Sequence, residues 1–179
     1  AYGERYRPVA ERAGFSFPTS TVAELKVVER VPGSATTDFG APGAIAEVDR
    51  RPLSAAAARR QAALVEACWA AFDEVVATAP SALRKGPRGG GRDLGAIVAH
   101  VLDAERAYLR KLGLRLGPFN GDEPDSLKSH RPAVLKVLGR AWRPSAGDPP
   151  WTAPYGARRI AWHVLDHAWE IEDRSEPGA

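Results

Sequence analysis

Methionine is absent from the 179 residues, cysteine occurs once, and no run of 18 or more apolar residues is present. Each absence excludes something. A single cysteine, Cys68, cannot build a disulfide framework, so a reducing cytoplasm is the expected compartment. Without a long apolar run no transmembrane helix is expected, and no signal peptide is visible. Without methionine there is no start residue, so the sequence is expected to begin inside a longer product or after processing. No sustained basic run exists either. The formal net charge is only +3, with acidic and basic residues interleaved, so nucleic-acid binding is not expected. The densest basic cluster (Arg84, Lys85, Arg88, Arg92) sits in a Gly-rich stretch and reads as a solvated loop, with phosphate contact the lesser alternative.

Apolar residues make up 44% of the chain, enough to bury a core rather than leave the chain disordered. Four of the five tryptophans lie at or after Trp142, which places the C-terminal part in or over that core. Residues 1–52 read as an N-terminal appendage and linker: a short helix over 2–13 punctuated by Gly14, a β-branched strand over 22–31, and an extended linker over 34–52. Residues 53–176 read as helical. Ser54 is a good N-cap for a helix over 55–78, with Leu64, Cys68, Phe72, Val75 and Val76 on one face. Further helices are expected over 93–112, ending at Gly113, over 126–142, and over 155–174. Pro132 places the actual start of the third near Arg131. The fold class is therefore mainly α, a four-helix bundle with a small N-terminal helix/strand appendage.

Three of the four histidines carry the chemistry. His163 and His167 are spaced i, i+4, so both project from nearly one azimuth, one turn apart, and two imidazoles so placed can share an ion. Ile160, Ala161, Val164, Ala168 and Ile171 form the apolar side of that helix, with Asp166 and Glu170 beyond the histidines as carboxylates able to take the second ring N–H. His100 lies on another helix among Ala96, Ala104 and Ala107, small neighbours that leave room for an imidazole. Alone it reads as a core histidine; with an inward His pair on another helix, a shared metal site reads better. Three neutral imidazoles suit Zn²⁺, Ni²⁺, Fe²⁺ or Co²⁺ and leave positions open for water or substrate. Asp103 is a further carboxylate candidate beside the site. Tyr155 and Arg159, one or two turns before His163, are candidates to face substrate. His130, among basic residues at a helix start, reads as exposed and uninvolved. Glu105 falls on the apolar face between Val101 and Leu109, where a carboxylate must pair or neutralise; Arg158, Arg159 or Arg174 are its expected partners, in a structural ion pair rather than at the metal. Cys68 reads as a buried small hydrophobe rather than a nucleophile.

Two segments carry a family resemblance: Gly91-Arg92-Asp93 leading into Ile97-Val98-Ala99-His100-Val101-Leu102-Asp103-Ala104-Glu105-Arg106, and Arg158-Arg159-Ile160-Ala161-Trp162-His163-Val164-Leu165-Asp166-His167-Ala168-Trp169-Glu170. In these, residues 53–174 resemble the DinB/YfiT-like superfamily of metal-binding four-helix bundles, which includes mycothiol-dependent maleylpyruvate isomerase and bacillithiol transferases. The resemblance implies a metal held by His100, His163 and His167, and an enzyme of thiol-transferase, isomerase or hydrolase type whose metal lowers the pKa of a bound thiol or water. The Ala- and Arg-rich composition favours mycothiol as the thiol co-substrate. The implied partners are a small-molecule thiol or electrophile, with a homodimer left open. A non-catalytic metal-stabilised binding or sensing module is the alternative. Residues 1–52 resemble the end of a small HicB-like α/β unit.

Overall fold

The computed structural model describes residues 2–18, 20, 23–33, 35, 37, 43–86, 90–114 and 128–175. These form α1 (Tyr2–Arg12), a 3-10 turn (Glu47–Arg50), α2 (Ala55–Thr78), α3 (Leu94–Lys111), α4 (Arg131–Leu138) and α5 (Ala153–Ser175). The class is mainly helical, as the periodicity predicts, with no strand among the described residues.

The helix ends follow local chemistry. Ser54 Oγ accepts from the Ala57 amide at 3.2 Å and starts α2. Asp93 stands at the N-cap of α3 without capping it; its carboxylate instead meets Lys85 Nζ at 2.9 Å. At the other end of α3, Gly113 adopts φ +74°. The Gly113 amide reaches Arg110 O at 3.0 Å and the Leu114 amide reaches Leu109 O at 2.9 Å, a paired closure that needs a left-handed residue at Gly113.

The core runs between helices. Val65, Cys68, Trp69 and Phe72 of α2 and Ile97, Val101 and Leu109 of α3 meet Val134 and Leu138 of α4 and Ile160, Val164, Ala168 and Ile171 of α5. Helix α5 is the hub: it packs on α2, α3, α4 and the 3-10 turn. Val9 and Ala10 bury α1 at one side, and Arg5 ties it to Glu172 (2.7 Å) and Asp173 (3.0 Å) on α5. No helix among the described residues is long and apolar enough to cross a membrane.

Three expectations change. The strand over 22–31 does not form among the described residues, which leave out Val22; residues 25–33 lack assigned secondary structure. Among the described residues no strand takes up their backbone groups, and Val28 stands 84% exposed, Leu25 and Val27 nearly as much. The linker is not wholly extended: its 3-10 turn docks on α5, where Asp49, only 4% exposed, receives Arg158 Nε at 2.6 Å. The helix expected over 126–142 ends at Leu138 rather than Trp142, because Gly139 caps it and Trp142 pairs its backbone with Leu53 (2.8 and 3.0 Å). It starts at Arg131, where Pro132 places it; Ser126 and Leu127, the outer limit of the expected helix, lie outside the described residues.

Candidate metal centre

The buried stripe of α3 runs through Ile97, Val101, Leu102 and Leu109, and His100 sits half-buried at its edge. On α5 the buried stripe itself contains His163 and His167, 7% and 8% exposed. Packing α3 on α5 brings the three rings together. Their centroids stand 5.2 Å (His100–His163), 5.0 Å (His100–His167) and 4.6 Å (His163–His167) apart. One nitrogen from each lies within 4.8 Å of the others. Nitrogens about 2.1 Å from one tetrahedral ion are separated by roughly 3.4 Å, so the cluster is gathered close to, though looser than, the spacing of ligands on a shared ion. The donor set fits a divalent transition metal.

Second partners fix the ring orientation. His167 Nδ1 meets Glu170 Oε2 at 2.8 Å; with the Nδ1 proton donated to that carboxylate, Nε2 keeps its lone pair free as the ligand atom toward the cluster. Glu170 Oε1 accepts from Arg174 Nη1 at 2.8 Å, and Arg174 Nε donates to Arg84 O at 2.8 Å. Arg84 closes back on α5 through its own amide to Arg174 O, 2.9 Å, and its guanidinium to Asp173 O, 2.7 Å. The Arg174 guanidinium lies over Gly91, where a Cβ would come within 2.7 Å of Nη2; Gly91 also adopts φ +126°, so only glycine suits that place. The basic loop is thus not merely solvated: Arg84 braces the carboxylate that holds His167.

The electrostatics favour the neutral form of His163 and His100. Burial, then the neighbouring His167 and His100 and the charges of Arg159 and Arg92, push His163 down to about 3. Burial, with Arg92 and His167, lowers His100 as well. Neutral nitrogens are what a metal needs.

The remaining candidates divide. Glu170 is at the site. Asp103 is exposed one turn from His100 and pairs with Arg106 at 3.3 Å. Asp166 is exposed and meets neither imidazole; it lines a cavity of about 670 Å³ with Gln61, Cys68, Trp162 and Trp169. None of the three histidines lines that cavity. Arg159 belongs near the site, with Cζ 5.2 Å from the Tyr108 ring and 4.7 Å from Trp162. Tyr155 lies a turn further along and packs on Trp151 at 4.9 Å. Sequence reasoning missed Tyr108, whose ring stands 5.5 Å from His163, and the Arg174–Arg84 brace. Tyr108 follows His100 at i+8 and Arg174 follows Glu170 at i+4, so helical spacing held both signals.

Glu105 is 3% exposed but not paired with α5. Burial pushes its carboxyl up to about 7; Arg131 and the Trp69 indole draw it down, and Asp73 pushes it further up. Arg131 is already committed to Asp73 at 2.6 Å, while Glu105 Oε2 and Trp69 Nε1 complete no hydrogen bond. His130 is half-buried rather than exposed, at the N-cap of α4, and is not part of the histidine cluster. Cys68 is 1% exposed, its thiol pushed up to about 12 by burial, which agrees with a packing role.

No family model, no curated protein and no solved structure matches the chain.

Proposed function

We propose that the chain is a DinB-like metalloprotein, with a divalent transition metal on His100, His163 and His167, that acts as an enzyme on a low-molecular-weight thiol or on water. The observation that carries this reading is the convergence of three imidazoles from two helices within 4.8 Å, two of them buried. When bound, the metal supplies a lowered pKa for a thiol or water and so a nucleophile near neutral pH. The chain's residues do the rest. Glu170 holds the His167 tautomer and keeps Nε2 available. Arg174 and Arg84 hold Glu170 in place. Low proton affinity at His163 and His100 keeps those rings ready as ligands rather than cations. The substrate class is a small-molecule thiol with an electrophile, in a transferase or isomerase reaction, and mycothiol is the thiol that the family resemblance suggests.

A non-catalytic binding module is the second reading. It is favoured by the cavity of about 670 Å³ between α1, α2 and α5, which none of the histidines lines.

Two measurements decide. Metal analysis of the purified chain from supplemented medium is expected to give about one equivalent, lost in His163→Ala and in His167→Ala; metal-free wild type would sink the proposal. Mycothiol-dependent conjugation of a model electrophile by metal-loaded protein favours the enzyme; bound metal with no thiol or water chemistry leaves the binding module.

A further inference from the structure

Tyr155, Arg159, His163 and His167 follow one another at four-residue steps along α5. Arg159 therefore stands about one turn, roughly 6 Å, from His163 along the helix. Its guanidinium is stacked near two rings, Tyr108 and Trp162, and Tyr108 touches His163 in turn. What it lacks is an acceptor: Nη1 is buried with no hydrogen-bond partner. Three other half-buried arginines meet carboxylates: Arg5 meets Glu172, Arg131 meets Asp73 and Arg174 meets Glu170. Even the exposed neighbour Arg158 pairs with Asp49. Among the described residues Arg159 has no such partner. A half-buried guanidinium with spare donors is unfavourable unless something supplies the acceptor. Arg92, exposed at the mouth of α3, adds a second positive charge felt at both His100 and His163.

We propose that Arg159 anchors a carboxylate group of the ligand that the histidine site acts on, a reading that rests on the metal centre proposed above. A carboxylate suits the place better than a phosphate. With aromatic rings near its faces, the guanidinium offers its edge, and a planar, singly charged carboxylate pairs edge to edge with that fork. Trp162 and Tyr108 then flank the apolar body of the ligand, while its other end extends along α5 toward His163.

The full chain loaded with zinc is titrated with benzoate and with its neutral isostere benzamide, following tryptophan fluorescence and heat. Wild type is expected to bind benzoate at least about tenfold more tightly than benzamide. Arg159→Gln should lose that preference and Arg159→Lys keep part of it, with zinc content unchanged in both. Equal affinities in wild type would overturn the proposal, as would a preference that survives in Arg159→Gln, because the metal alone then holds the anion. Binding of inorganic phosphate without binding of benzoate overturns it too. Zinc content of the same samples separates the two readings: absence of zinc from wild type defeats the metal centre, and the benzoate titration of that metal-free protein still decides Arg159. If Arg159→Gln does not fold, the wild-type comparison and Arg159→Lys carry the test.

Discussion

Glu105→Gln should stabilise the chain in a strongly pH-dependent way. Glu105 is buried among Trp69, Arg131 and Asp73, and its carboxyl rises from an ordinary 4.5 to about 7. That rise corresponds to about 3 kcal/mol of differential stability. The sign follows from proton counts. Between about pH 4.5 and about pH 7 the folded state keeps the Glu105 proton that the unfolded chain has released. Glu105 therefore costs nothing below about pH 4.5, and destabilises progressively up to about pH 7, with the full cost present above it. Gln cannot ionise, so the stability difference between Glu105→Gln and wild type should grow by about 3 kcal/mol from pH 4.5 to pH 8. A buried amide brings its own unpaired N–H, but that cost is the same at every pH and drops out of the slope. Urea unfolding of metal-free protein at a series of pH values reads the difference directly. A pH-independent difference would refute the account, showing that Glu105 either finds a partner or is hydrated. His163 acts in the opposite direction: pushed down to about 3, it makes stability fall as pH drops below about 6.5. In the variant, with the opposing Glu105 slope removed, stability should climb with pH between about 4.5 and 6.5.

Three further outcomes are expected. Glu170→Ala frees His167 Nδ1 and should weaken metal binding by about 10- to 100-fold in chelator competition; unchanged affinity would mean that the Glu170 bond does not orient the ring. Gly156→Ala should lower stability by about 1–3 kcal/mol, because a Cβ at Gly156 runs into the Leu112 side chain where α5 meets the end of α3. A higher melting temperature, the ordinary result of Gly→Ala in a helix, would show that this contact is loose. Cys68 should resist a thiol reagent in the native protein and react once unfolded; rapid native labelling would place it outside the core.

The four-residue step between His163 and His167, and the glycine closing α3, are local facts. They depend only on helix pitch and on the steric freedom of one residue, so they were legible in the sequence. Asp166 was misplaced for a related reason. Helical order put it near the histidines, but a step of 100° per residue carries it to the side of α5 that lines the cavity. Residues 25–31 have a strand's composition, yet a strand exists only when another strand supplies its hydrogen bonds. Glu105 was recognised as buried from periodicity alone; its neighbours were not, because they come from α2 and α4, and spacing within α3 carries no information about other helices.

The sequence by itself determined where α2 and α3 lie, which faces are apolar, and that three histidines lie on such faces or at their edge. Only the tertiary structure decided that those histidines converge, that Arg174 and Arg84 brace Glu170, and that Arg159 meets no carboxylate among the described residues. Helix formation is governed by contacts three and four residues apart. Convergence across α3 and α5 depends on how two apolar stripes pack, and which charges pair across that packing is settled by distance in space rather than along the chain.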